Sequence, residues 1–539
     1  MKLTFIGADH EVTGSESLLQ VCGKNILIDC GMEQGKDIYA NMPLPVKPEE
    51  IDYLLVTHAH IDHTGMIPAL VKAGFSGAIH ATEATCRLSD IMLRDSAHIQ
   101  EFEAEWRNRK GARKGEKPFE PIYVTADAEA AIKLFIPHDY EKDYEICDGV
   151  KIRFTDAGHL LGSSNITITM KENGIEKSII FSGDIGNVAQ PIIRDPSYPT
   201  QGADYAVTES TYGTRVHDAP PDYAVKLAEV LQTTFDRNGS VIVPSFAVGR
   251  TQEILYFIRE IKTRGLLKGH DSFTVYVDSP LAIEATKIFH ESGEECFDDA
   301  ATELVRKGID PISFEGLKVA TSSDESRAIN FDDSCKVIIS ASGMCEAGRI
   351  KHHLKHHLWR KQDTILFVGY QAARTLGRSL LDGAKNVKLF GEDIAVNAEI
   401  KELPGISGHA DSNGLIKWIT SMEKKPDIVF VNHGESDSVD QYAARLRDEF
   451  GFNTATPYSG SVYDLADGSC IFEAKPEPLA EKTAGGASAE ERGMTDDYRR
   501  FVEAADRLNR ATSMAKGRSN RELRELAGKI NEILGQIQA

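Results

Sequence analysis

Three histidines and an aspartate fall within six residues at HAHIDH, residues 58–63, and Gly65 closes the run. Imidazole nitrogens and a carboxylate at this density form a donor set for a zinc-like divalent metal. The preceding IDYLLVT alternates and then turns wholly apolar, the pattern of a strand entering a buried sheet. The histidines are therefore expected on the loop at the C-terminal end of that strand. A tight loop can turn His58, His60 and His63 toward one point with Asp62 between them, whereas a regular helix or strand at this spacing would splay them. A solvated histidine tract is the competing reading of such a composition, but a surface tract needs neither the apolar strand before it nor the embedded aspartate.

Other ligand-type residues also end apolar runs. KIRFTDAGHLLGSS places His159 just past a strand, and SIIFSGDIGN does the same for Asp184. Asp184 has two oxygens and can bridge two metals. NILIDCG ends in Asp29, which is better placed to orient a ligand histidine than to bind metal itself. Singly, each could be a turn or cap residue. Their joint occurrence behind strands, around HAHIDH, is the stronger signal.

The elements that must position these residues come in two styles. LTFIGA, ESLLQVC, NILIDCG, DYLLVTH, KIRFTDA, NITITM and SIIFSGD read as strands, interrupted by one helix over about residues 82–107, which suggests packed sheets rather than a doubly wound fold. After about residue 210, GSVIVPSFAVGRTQEILYFIRE, DSFTVYVDSPLAIEATKIFH, KVIISASGMCEAGRIKHHLKHHLW and DTILFVGYQAARTLGRSLLDG each read strand, Gly-bearing loop, helix. That alternation predicts a parallel sheet with ligand loops at the C-terminal strand ends. The strand-rich style returns from about residue 396 with NAEIKELPGISGHAD and DIVFVNHGE. Within the helical stretch, HHLKHHLW reads as a polar helix face. KPEPLAEKTAGGASAEERG is a linker by composition, and two amphipathic helices are expected beyond it, over about residues 496–515 and 520–537.

Composition narrows the class. At 539 residues, two or three domains are expected. No apolar run reaches the roughly 20 residues needed to span a bilayer, and MKLTFIGADH lacks a signal-peptide pattern, so a cytoplasmic, non-membrane protein is expected. The eight cysteines include no CxxC pair and read as small buried hydrophobes. A net charge of −21 argues against indiscriminate binding to polyanions, although a metal pair in a cleft can still present a local positive field. RNRKGARKGEK, residues 107–117, is the one basic stretch, read either as a solvated loop or as a phosphate-attracting flap.

The series Asp29, HAHIDH, His159 and Asp184 resembles the metallo-β-lactamase fold superfamily, and the inserted segment resembles its β-CASP branch, over roughly residues 1–473. The resemblance implies an α/β fold: an αββα metallo-β-lactamase sandwich with an inserted β-CASP domain, a parallel sheet flanked by helices, followed here by a helical C-terminal tail. The corresponding divisions are 1–209 and 396–473 for the sandwich, 210–395 for the insert, 474–492 for the linker and 493–539 for the tail. Carried over residue by residue, the branch's further acidic motif falls on Glu209 in TESTYG, its late histidine on His409 in ISGHADS and its final histidine on His433 in VNHGES. PSFAVGR, SASGMCEAGR and GYQAARTLGR look like the insert's loops, with Ser245, Arg250, Ser342 and Arg378 as candidates to bind substrate phosphates. One departure is Arg374, where the branch usually has glycine.

What the resemblance implies is a zinc-dependent ribonuclease with two zinc ions. One would be held by His58, His60 and His159 and the other by Asp62, His63 and His433, with Asp184 and a hydroxide between them. Hydrolysis would leave a 5′-phosphate and a 3′-hydroxyl, with Asp62, Glu209 and His409 as catalytic residues and His409 as the general acid. Both endonucleolytic and 5′-exonucleolytic cutting fit these residues. A histidine at 433 resembles the RNA-acting members, whereas DNA-acting relatives typically have valine. The alternatives are a DNA nuclease of the same family and a small-molecule hydrolase of thioesters or lactams. RNA is the expected partner, and the tail is expected to pair two copies of the chain or to dock another protein.

Overall fold

Short aliphatic and β-branched runs closed by glycine or a polar residue set the strands of this chain, and the computed structural model resolves how they stack. It describes residues 1–479, except 35–37, 112–116, 219, 372–373 and 404–406, together with Ala527. One sheet orders its strands Cys470–Phe472, Val462–Asp464, Lys2–Gly7, Glu16–Val21, Lys24–Ile28, Tyr53–Leu55, Ala78–Thr82 and Phe135–His138. A second orders Thr454–Ala455, Ile428–Val431, Tyr205–Thr208, Ile175–Phe181, Ser164–Glu172, Val150–Asp156 and Asp143–Cys147. The period of two in a strand sends Ile152 and Phe154 to one face, where they meet Leu3, Phe5, Ile26, Ile166 and Phe430 from the two sheets in a shared apolar layer. Phe5 and Phe430 pack with ring centroids 5.2 Å apart.

Helices close the outer faces. Ile67–Lys72, Glu83–Gly111 and Thr125–Ile132 cover the first sheet through Leu70, Leu93, Ala97 and Ala128. Ser412–Thr420 and Ser436–Phe450 cover the second through Leu415, Trp418, Tyr442 and Leu446. The result is the αββα sandwich. Both sheets draw on residues from the start of the chain and from beyond residue 427, so the segment between must leave and return.

That segment builds a third sheet, in the order Leu317–Val319, Thr274–Val277, Lys336–Ser340, Val241–Pro244, Thr364–Phe367 and Glu399–Glu402, with every pair parallel. Its three adjacent central strands are buried throughout, as expected when both faces are covered. One face packs on helices Tyr223–Asp236, Arg250–Arg264 and Pro280–Ser292, the other on Ile350–His357 and Leu376–Leu381. The loops SFAVGR and ASGMCEAGR, and the described residues 368–371 after Thr364–Phe367, follow these central strands at the same end of the sheet.

Several expectations are revised. The change of sheet comes after Glu402 rather than at 395/396, because Glu399–Glu402 pairs with Thr364–Phe367 as the insert's edge strand. Strands Ala78–Thr82, Phe135–His138 and Asp143–Cys147 were not expected. Among the cysteines, Cys30, Cys296 and Cys345 are buried, but Cys470 is exposed. The helix bearing HHLKHHLW is not simply a polar face, since His353 and His357 are fully buried. His353 Nε2 lies 2.6 Å from Asp278 Oδ2 and its Nδ1 2.8 Å from Asn330 Oδ1, while Ser326 Oγ and Arg349 Nη1 donate to the same carboxylate at 2.5 and 2.7 Å. His357 Nδ1 meets Asp363 Oδ2 at 2.6 Å. No helix among the described residues is long and apolar enough to cross a membrane. The expected tail helices, and residues 112–116 of the basic stretch, lie outside the described residues.

Arg374 adopts φ 70°, in the left-handed region that glycine enters without cost. This accounts for the usual glycine at that position without assigning the arginine a role. The buried Asp278–His353 pair gives a test of the fold. His353→Ala leaves a buried carboxylate short of a partner and should cost about 3 kcal/mol of stability, read by urea denaturation. A loss under about 0.5 kcal/mol would mean that the pair is already solvated.

Candidate metal centre

The HAHIDH loop is anchored from below by backbone. Ser15, Cys30 and Met32 N–H groups donate to the carbonyls of Asp62, His63 and Ile61 at 2.8, 2.8 and 2.9 Å. Gly31 makes this approach possible, because a Cβ there would lie 1.7 Å from the Asp62 carbonyl oxygen. His60 sits at the N-cap of the single turn Ile61–Thr64, so the loop bends sharply and its side chains converge.

Two groups of donors result. His58 Nε2 and His159 Nε2 lie 3.0 and 3.2 Å from His60 Nδ1, and each is 3.5 Å from Asp184 Oδ2. On the other side, His63 Nε2 and His433 Nε2 are 3.0 Å apart and lie 3.3 and 3.6 Å from Asp184 Oδ1, with Asp62 Oδ2 at 4.0 and 3.8 Å. Asp184 thus turns one oxygen to each group. Its Oδ1 is buried and accepts no hydrogen bond.

The opposite nitrogens are held by partners that fix the rings. Asp29 accepts from Thr57 N–H at 2.8 Å and from Thr57 Oγ1 at 2.9 Å, and its Oδ2 lies 2.7 Å from His63 Nδ1. A proton held there leaves the Nε2 lone pair facing inward. His159 Nδ1 meets the Gly408 carbonyl at 3.0 Å, His58 Nδ1 meets Thr57 Oγ1 at 3.1 Å and His433 Nδ1 meets Thr211 Oγ1 at 3.3 Å. Thr57, Thr211 and Gly408 were not singled out from sequence. Thr57 was the most findable of them, being the last strand residue before the loop.

Charge is distributed as a cation site requires. Burial and neighbouring imidazoles push His58 well below its ordinary pKa. Burial, only partly offset by Asp184, takes His60 to about 4, and burial together with His409 takes His159 to about 3. Burial would raise Asp184, but His433, His63 and His58 hold it well below the usual carboxylate range. Burial would likewise lower His63, yet Asp184 and Asp29 hold it well above its usual value. An ionised carboxylate whose Oδ1 accepts no hydrogen bond, set beside the neutral imidazoles of His58, His60 and His159 and a His63 ring held in its charged form by Asp184 and Asp29, is a set of groups that draws positive charge and fits a divalent cation.

Beside the donors stands a second constellation. The SGDIGN and SGHADS loops pair through Gly186 and His409, with Ala410 N–H donating to Ile185 O at 2.8 Å. Asp411 caps the following helix by accepting from Gly414 N–H at 2.9 Å, which leaves the His409 side chain free of that duty. His409 Nδ1 lies 3.3 Å from Glu209 Oε1, and the ring is 22% exposed. Glu209 is buried and also accepts from Ile185 N–H at 2.6 Å and Thr211 N–H at 3.3 Å. Burial would lower the His409 pKa, but the charge and hydrogen bond of Glu209, with Asp184 and Asp62, raise it to about 9.

Family profiles match in three blocks: the metallo-beta-lactamase superfamily over residues 14–245, the Beta-Casp domain over 251–380, and the Zn-dependent metallo-hydrolase RNA specificity domain over 393–457. Ribonuclease TTHA0252 of Thermus thermophilus is 33% identical over 442 residues, covering 81% of this chain and 94% of that protein. The chain belongs to the β-CASP branch of the metallo-β-lactamase superfamily. Transcription termination factor FttA of Methanosarcina mazei is 30% identical, covering 81% of this chain and 67% of its own, and that of Methanocaldococcus jannaschii is 29% identical, covering 85% and 70%. As a member of this branch the chain is a metal-dependent hydrolase.

The β-CASP insert treats its four candidate residues unequally. Ser245 is buried, donates to the Phe246 carbonyl at 3.2 Å and accepts from Thr251 Oγ1 at 3.1 Å, so it braces its own loop rather than facing a cleft. Arg250 is largely buried and paired with Glu253. Both depart from the expectation of phosphate contact, because the turn from strand into helix draws their side chains inward. Ser342 is partly exposed, and Arg378 is exposed beside Asp382 at 2.8 Å.

Asp29→Ala removes the group that orients His63 and should weaken zinc binding by about 10- to 100-fold, measured by competition with a chelator of known affinity. Unchanged affinity would show that His63 needs no such support.

Proposed function

We propose that this chain is a zinc-dependent ribonuclease that hydrolyses RNA phosphodiester bonds with two zinc ions, leaving a 5′-phosphate and a 3′-hydroxyl. The observation that carries the reading is the division of donors about Asp184, with the half-buried His409 beside it backed by buried Glu209. Similarity that covers 81% of this chain and 94% of a protein named as a ribonuclease supports RNA as substrate.

His58, His60 and His159 would hold one ion and Asp62, His63 and His433 the other, with Asp184 spanning both. When bound, a pair of divalent cations supplies Lewis acidity, lowering the pKa of water at the site and neutralising charge on a phosphodiester. Asp62 lies at the solvent-facing side of this set and belongs with the catalytic groups. The leaving 3′ oxygen needs a proton. His409 has the partner to give it: Glu209 holds the Nδ1 side and stabilises the imidazolium, so Nε2 would be the donor to the leaving oxygen. Ser342 and Arg378 remain the candidates for contact with flanking phosphates. A hydrolase of small thioesters would use the donors but has no need of the His409–Glu209 pair or of the insert.

The test offers the zinc-loaded protein 5′-labelled RNA, matched DNA and a thioester. Cleavage of RNA alone is expected, preferential cutting of DNA would make this a DNA nuclease, and thioester hydrolysis alone would overturn the reading. His409→Ala should lower kcat by about 10²- to 10⁴-fold with both metals retained, and metal lost with the imidazole would make His409 a ligand. The acid must be protonated, so activity falls as pH rises through its pKa. Glu209→Gln removes the charge that raises this pKa and should move the alkaline limb to lower pH, whereas an unmoved limb would separate Glu209 from the titrating group.

A further inference from the structure

The loops at this end of the insert's sheet carry two exposed aromatic rings that the chemistry above does not use. Phe246, which follows strand Val241–Pro244, is 44% exposed, and Tyr370, which follows Thr364–Phe367, is 60% exposed. Single exposed apolar side chains are common on protein surfaces, but these two are set apart by what lies beneath and beside them. One edge of the Phe246 ring rests against Gly343, where a Cβ would approach ring carbons at 3.1 Å, and near Gly369, where it would come to 3.7 Å. Glycine at both positions, at the ends of the two flanking strands, lets the ring lie low over the sheet while part of it stays open to solvent. Arg378, on the helix that follows Tyr370, is exposed and pairs with Asp382 at 2.8 Å.

The loop that carries Phe246 packs beside the loops of the metal centre. A Cβ at Gly249, on the same loop as Phe246, would lie 3.2 Å from Leu160 Cδ1, and Leu160 directly follows the donor His159. Ala247 and Val248 share one apolar cluster with Leu160, Leu161 and with Ala59 of the HAHIDH loop. A chain of nucleotides crossing the metal centre therefore has this loop as a neighbour. Aromatic faces bind unpaired bases of any identity by stacking.

We propose that Phe246, with Tyr370 on a neighbouring loop, is a base-stacking subsite that grips an unpaired base of the RNA as the strand leaves the metal centre. The proposal rests on the ribonuclease reading for its substrate. Phe246 is here a positioning residue: it binds the nucleotide and leaves the proton and metal chemistry to the centre.

The test uses single-stranded RNA carrying 2-aminopurine at successive positions around the cut bond, mixed rapidly with zinc-loaded protein. Stacking quenches this fluorophore before turnover. The wild-type protein should quench at one or two adjacent positions. Phe246→Leu keeps the apolar bulk but removes the π face; it should lose the quench and raise KM by about 5- to 100-fold, with kcat changed far less, while Phe246→Tyr restores both. Quench and KM unchanged in Phe246→Leu would overturn the proposal, as would a wild-type protein that cleaves RNA without quenching any position. If the wild-type protein quenches but cuts no RNA, the ribonuclease reading fails and the stacking subsite stands. Duplex RNA of the same sequence, whose bases are already stacked and paired, should show no quench on mixing, and equal quenching of duplex and single strand would overturn the proposal.

Discussion

Imidazole lone pairs repel one another when they meet in a dry interior, and five of them meet here around one carboxylate. His63 Nε2 and His433 Nε2 lie 3.0 Å apart, and His60 Nδ1 is nearly as close to two further imidazole nitrogens. Asp29 and the Gly408 carbonyl occupy the far sides of His63 and His159, so the inward nitrogens of those rings cannot be quieted by tautomer exchange without losing a partner. Positive charge between the rings resolves the conflict, and ions there would convert an electrostatic penalty into folding free energy. Much of the surrounding structure can be read as the scaffold that holds this unfavourable arrangement in place.

The scaffold works at two scales. Locally, strands end in loops whose backbones hydrogen-bond to one another, with Gly31 permitting the closest approach under HAHIDH. Globally, His433 and His409 come from beyond the insert, so the centre is complete only when the chain has left the sandwich, built a parallel sheet and returned. The insert then presents its loops at the rim instead of capping an independent site. Stability of the sandwich and assembly of the centre are thereby linked through one chain path.

Much of this was legible in the sequence, for identifiable reasons. HAHIDH, His159 and Asp184 each follow an apolar strand, and a residue at a strand end cannot move far from its sheet, so local pattern carried spatial information. The insert announced itself through alternation of strand and helix. Other features depend on contacts between distant residues and left no local mark. His353 reaches Asp278, 75 positions away, and so the histidine-rich helix looked like a polar face although half of its histidines are buried. Ser245 and Arg250 sit where a strand turns into a helix, and which way such side chains point is decided by packing that spacing does not encode. Glu399–Glu402 is short, charged and at a sheet edge, so nothing in its composition separated it from the strands that follow. Thr57, Thr211 and the Gly408 carbonyl matter only because of what the histidines need behind them.

The bridging geometry at Asp184 is the claim on which the rest stands, and anomalous diffraction from crystals of the zinc-loaded protein measures it most directly. Two zinc peaks about 3.5–4 Å apart are expected, one beside each Asp184 oxygen, with His58, His60 and His159 around the first and Asp62, His63 and His433 around the second. A single peak, or two peaks with Asp184 bound to neither, would contradict it.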